Sequence, residues 1–135
     1  METDGRARDG KALQILVVED VADIRDVFVL LLRAENAHVV ATGSGRDAIE
    51  LARRSHFDVV LTDLGLPDIA GETVIREILA HASQRPRVIV ITGYGEPYVS
   101  RARDAGADAV LTKPVPWTTV LSVMRRASSS GAIAA

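Results

Sequence analysis

Three carboxylates, a hydroxyl and an ammonium follow short apolar runs in this chain. Glu19 and Asp20 come after Ile15-Leu16-Val17-Val18, Asp63 after Val59-Val60-Leu61-Thr62, Thr92 after Val88-Ile89-Val90-Ile91, and Lys113 after Val110-Leu111-Thr112. Carboxylates gathered in one cleft raise one another's pKa and need a compensating charge. A divalent cation supplies it. Oxygen-only ligands suit Mg²⁺ or Mn²⁺, and no histidine or cysteine stands near enough in sequence to suggest zinc. A carboxylate beside such a cation can attack a phosphoryl group, whose oxygens need positive charge and donors around them. Lys113 and the Thr92 hydroxyl would provide both. Each residue alone has a plainer reading. Glu19-Asp20 could be acids favoured at a helix N-terminus, Asp63 a turn starter before Pro67, Thr92 a strand-end hydroxyl and Lys113 an exposed lysine.

The elements that must position these residues are legible from the apolar pattern. The runs at 15–18, 39–41, 59–61, 88–91 and 110–111 are continuous rather than alternating. That is the mark of strands buried on both faces, as in parallel sheets crossed by helices. Between them the period is helical. From Ile24, the residues Val27, Phe28, Leu31 and Leu32 make an apolar face; Ser44 is an N-cap before a second helix, with Asp47 three residues on. A third helix carries Val74, Ile75, Ile78 and Leu79 and stops before Pro86. The fourth, from about Pro97 to Ala105, has only Tyr98, Val99 and alanines to bury before Gly106 ends it, so it should be the most weakly packed and the most mobile. The fifth begins at Pro116 and buries Val120, Leu121, Val123 and Met124. Five strand–helix units predict an α/β, doubly wound, five-stranded parallel sheet of order 2-1-3-4-5, in which ligands bind beyond the carboxyl ends of the strands. In that order the ends of strands one, three, four and five converge on one cleft.

Composition sets the outer limits. At 135 residues with 47% hydrophobic content and a net charge of −2, the chain suits one globular domain at 12–127, flanked by flexible tails at 1–11 and 128–135. No basic stripe argues for direct nucleic-acid binding, no apolar run is long enough for a membrane, and the absence of cysteine excludes disulfides and thiol chemistry. A cytoplasmic protein is the expectation. His38, His56 and His81 fall at a strand start, a loop and a helix end, and Trp117 is read as packing. The Gly93-Tyr94-Gly95 segment lacks the Gly-Lys-Ser/Thr of a nucleotide loop.

Taken in order, Leu16-Val17-Val18-Glu19-Asp20, Leu61-Thr62-Asp63-Leu64-Gly65-Leu66-Pro67 with Gly71, Val90-Ile91-Thr92-Gly93, and Gly106 through Thr112-Lys113-Pro114 resemble the receiver domain of bacterial response regulators from about Leu13 to Ala127. The resemblance implies a flavodoxin-like receiver fold and a role for each position. Asp63 would be the phosphoacceptor, Asp20 a metal ligand, Glu19 a ligand through water and Gly65 a ligand through its backbone carbonyl. Thr92 and Lys113 would hold the phosphoryl group, and the Lys113–Pro114 bond would be cis. It further implies a histidine kinase or histidine phosphotransfer protein as donor, a downstream protein partner, and a homodimer through the fourth helix, fifth strand and fifth helix. The chain would be a signalling phosphoacceptor rather than an enzyme: a stand-alone regulator, a phosphorelay intermediate or the receiver of a hybrid kinase.

One departure stands out. Where receivers carry Tyr or Phe three residues before the lysine, this chain has Val110, and Tyr94 is the candidate to take over part of the switch with Thr92. Two alternatives therefore stay open. One is a pseudo-receiver that binds partners without phosphorylation. The other is a haloacid-dehalogenase-like phosphatase, against which Gly65 stands where a second aspartate would be needed.

Overall fold

The computed structural model describes residues 12–134, with side chains followed to residue 126. Strands and helices alternate: β1 (Gln14–Val18), α1 (Ala22–Ala34), β2 (His38–Thr42), α2 (Gly45–Arg54), β3 (Val59–Thr62), α3 (Gly71–His81), β4 (Arg87–Thr92), α4 (Tyr98–Ala105), β5 (Ala109–Thr112) and α5 (Trp117–Ala134). The five strands form one parallel sheet in the order β2-β1-β3-β4-β5, the flavodoxin-like arrangement anticipated from the sequence.

The central strands β1, β3 and β4 are covered on both faces, which is why their runs are apolar throughout. The edge strands β2 and β5 contain no fully buried residue and Val40 is 42% exposed, contrary to the expectation of five strands buried on both faces. Ile15, Val17, Val59, Leu61, Ile89 and Ile91 face Leu32 of α1 and Val120, Val123 and Met124 of α5. Their alternating neighbours Leu16, Val18, Val60, Val88 and Val90 face Ala48 of α2, Val74, Ile75 and Ile78 of α3, and Ala102 and Ala105 of α4. Successive strand residues point to opposite faces, so each run feeds two cores at once.

Helices α1 and α5 differ from the sequence reading, while α4 follows it. On α1, Leu32 is buried and Phe28 half-buried, but Val27 is 53% and Leu30 70% exposed. Its apolar stripe is wider than the core can cover, so the period alone mis-assigned Val27. On α4 only Ala102 and Ala105 are buried, which bears out its thin packing. Gly106 ends it at φ 121°, a conformation open to glycine, where an added Cβ would run into the Leu79 side chain. The backbone of α5 runs to Ala134, past Ser128 where the sequence reading places the start of a tail. The tail expected at residues 1–11 lies outside the described residues, as does Ala135.

Candidate functional site

Strand register builds the site. Val18 pairs with Thr62 across β1 and β3, so the next residues, Glu19 and Asp63, leave the sheet side by side. Thr92 pairs with Thr112 across β4 and β5, and the Lys113 N–H donates to the Thr92 carbonyl at 2.8 Å. The sheet thus delivers the acids and the lysine to one edge.

The side chains meet there. The Lys113 ammonium donates to Asp63 Oδ2 at 3.2 Å and stands 3.8 Å from Glu19 Oε1. Asp63 Oδ1 accepts from the Leu64 N–H at 2.6 Å and the Gly65 N–H at 3.4 Å. Glu19 is buried, at 3% exposure, and burial raises its pKa above the ordinary carboxylate range. The charges of Asp63 and Asp20 push the same way, while the Val21 N–H and Lys113 oppose them. Asp20 is exposed at the mouth. Thr92 is fully buried, and its hydroxyl accepts from the Tyr94 N–H at 3.0 Å. The Lys113–Pro114 bond is cis, as the resemblance implied, and so is Glu96–Pro97, which nothing in the sequence announced.

Among the described residues no three His, Cys, Asp or Glu side chains lie close enough to cage a metal by themselves. The donor set nevertheless fits Mg²⁺, which accepts one or two carboxylates and keeps much of its water. Asp20, Asp63 and the Gly65 carbonyl would hold it, with Glu19 reached through water. Burial is the main cause of the raised Glu19 pKa, the charges of Asp63 and Asp20 add to it, and Lys113 compensates for part of it. Zinc does not fit, for no histidine belongs to the cluster.

The switch candidates separate from one another. Val110 is half-buried and packs on the core face shared with α3 and α4. Tyr94 is 47% exposed, and its ring lies 5.0 Å from that of Tyr98, over which Arg101 sits at 5.6 Å. A Cβ on Gly65 would stand 2.9 Å from the Tyr94 hydroxyl, so Tyr94 already covers the loop after Asp63. His38, His56 and His81 are exposed and away from the cluster. Trp117 packs on Phe28 at 6.0 Å.

Sequence reading missed two side chains that shape the site's frame. Asp68, in the loop after β3, accepts from the Ser44 hydroxyl and the Gly45 and Arg46 N–H groups at the start of α2, at 3.0, 2.9 and 3.0 Å. Those N–H bonds lower its pKa to about 2. Ser44 also caps α2 by accepting from the Asp47 N–H, as its position suggested. Arg25 donates from α1 to the Glu19 carbonyl at 2.8 Å. No local pattern marks either contact.

Comparisons agree with this geometry. Residues 15–125 match the family model of the response regulator receiver domain. The chain is 31% identical over 102 residues to the cell cycle response regulator CtrA of Brucella ovis, covering 76% of this chain and 44% of the relative. It therefore spans under half the length of the curated relatives it matches. Among solved structures, the receiver domain of a sensor histidine kinase from Pseudomonas aeruginosa, with a magnesium ion coordinated in its active-site cleft, superposes with a TM-score of 0.81 at 26% identity, covering 87% of this chain and 98% of that one. A response regulator from Burkholderia pseudomallei, with a phosphorylated aspartic acid, a calcium ion and citrate, gives a TM-score of 0.77 at 25% identity, with 91% and 73% covered.

Proposed function

We propose, from the premise that this chain belongs to the response regulator receiver family, that Asp63 accepts a phosphoryl group from a phosphohistidine donor. The observation that carries this is the Lys113 ammonium held 3.2 Å from Asp63 at the convergence of three strand ends. An Asp63 oxygen attacks phosphorus, the bond from phosphorus to the donor nitrogen breaks, and the imidazole leaves with a proton. Mg²⁺ or Mn²⁺, held by Asp20, Asp63 and the Gly65 carbonyl with Glu19 through water, would supply positive charge to the phosphoryl oxygens. Lys113 pairs with the phosphoryl group and Thr92 donates its hydroxyl to it. The donor is a histidine kinase or a histidine phosphotransfer protein in the cytoplasm. The chain signals to a downstream protein and turns over no substrate besides its own phosphoaspartate. A homodimer through α4, β5 and α5 belongs to the same reading.

The readout runs through Tyr94. Thr92 moving toward a phosphoryl group releases the Tyr94 N–H it now accepts, and Tyr94 stacks on Tyr98 at the start of α4. This route replaces the aromatic switch that Val110 lacks.

The test is incubation with phosphoramidate, a small phosphorus–nitrogen donor, followed by intact-mass measurement. A single phosphoryl adduct that disappears in Asp63→Asn or on chelation of Mg²⁺ is expected. Absence of an adduct from every donor would favour the pseudo-receiver, and steady turnover of a small phosphate ester would favour the phosphatase.

A further inference from the structure

The metal side of the cleft is framed by a contact that no ligand role requires. Arg25 stands on α1, and its Nη1 donates to the Glu19 carbonyl at 2.8 Å. The same nitrogen lies 2.6 Å from where a Cβ on Gly43 would stand. The next atoms from that point, Asp20 Cα and Glu19 O, are both at 3.5 Å. Gly43, in the β2–α2 turn, is therefore the space through which the guanidinium reaches the Glu19–Asp20 turn. The turn is tied at two further places: the Glu19 N–H donates to the Thr42 carbonyl at 3.0 Å, and the Val21 N–H donates to Glu19 Oε2 at 3.2 Å.

A guanidinium beside a cation site has two effects of opposite sign. As a charge it repels the cation, so its removal should tighten metal binding. As a clamp it holds the turn carrying two acids in one geometry, so its removal should loosen metal binding. The hydrogen bond to a backbone carbonyl rather than to either carboxylate favours the second effect, because a carbonyl contact fixes backbone without neutralising an acid.

We propose that Arg25 is a positioning residue that fixes the Glu19–Asp20 turn, and that Gly43 is the gap it needs. The inference rests on the cation site of the reading above. Its test separates the two. Mg²⁺ alone is titrated calorimetrically into the full chain and into Arg25→Gln, Arg25→Lys and Gly43→Ala, each first shown to be folded by its melting curve. Amide hydrogen exchange at Glu19 and Val21 is then followed without metal. Gly43→Ala displaces the guanidinium while leaving its charge in place.

Arg25→Gln and Gly43→Ala should each weaken Mg²⁺ binding on the order of ten-fold, with Arg25→Lys between them and wild type because an ammonium can still reach the carbonyl. Exchange at Val21 should quicken in the first two. Binding of Mg²⁺ to Arg25→Gln at least as tight as to wild type, with exchange unchanged, overturns the proposal and leaves Arg25 as a charge. Should wild type itself take up no Mg²⁺, the cation part of the functional reading falls; faster exchange in the variants would still uphold the clamp, and unchanged exchange would remove it too.

Discussion

The two sides of the cleft are built to different standards. On the β1–β3 side, Glu19 is 3% exposed, Asp63 accepts from two backbone N–H groups, and Arg25 and Asp68 tie the neighbouring loops to α1 and α2. On the β4–β5 side, α4 buries only Ala102 and Ala105, while Tyr94 and Tyr98 remain 47% and 43% exposed. Chemistry needs acids fixed against one another, since misplacement weakens both charge compensation and attack. Readout needs an element whose alternative positions differ little in free energy, and few buried contacts provide that. Lys113 belongs to both sides: it comes from the loosely packed edge and ends on the acids of the firm one.

The largest effect should follow from cutting that link. Lys113→Ala should slow phosphorylation by acetyl phosphate on the order of a hundred-fold or more, measured as the rate of adduct formation, because a preorganised donor to developing charge is lost. Stability should divide the sides next. Ile15→Ala, on β1 of the firm side at 0% exposure, should cost about 2–5 kcal/mol in chemical denaturation through the cavity it leaves. Tyr98→Ala, half in solvent, should cost about 0.5 kcal/mol or less. A comparable loss from both would erase the contrast.

Asp68 gives a pH-dependent form of the same test. Its pKa is lowered from 3.8 to about 2 in the folded protein, so its stabilising contribution is present above the unfolded value and is lost as pH falls through about 2. The gap in melting temperature between wild type and Asp68→Ala should be constant above pH ~5 and shrink between about pH 4 and pH 2. The smallest effect belongs to Tyr94→Ala. It should leave the extent of phosphorylation intact yet shrink the phosphorylation-dependent amide shifts of α4 seen by NMR. Identical shifts in variant and wild type would remove Tyr94 from the readout.

Much of this architecture was written in local sequence. Continuous apolar runs marked the five strands, because the central strands, covered on both faces, cannot alternate, and the residues following the runs included the acids, Thr92 and Lys113. Local pattern failed where a contact joins distant segments. Asp68 meets Gly45 from 23 residues away, and Arg25 passes over Gly43 with no motif to announce it. Val27 shows a different limit. A helical period identifies apolar positions, but when the stripe is broader than the sheet it covers, the period cannot say which edge is left in water. The Tyr94–Tyr98–Arg101 stack depends on how the loop after β4 folds, which its glycines leave open in sequence.

The central claim is that the phosphoryl group resides on Asp63. Acyl phosphates are reduced by borohydride, which turns a phosphorylated aspartate into homoserine. Treatment of the chain with acetyl phosphate and Mg²⁺, reduction and peptide mapping by mass spectrometry should find homoserine at position 63 and nowhere else. Reduction at Asp20 or another acid, or at none, would contradict the account.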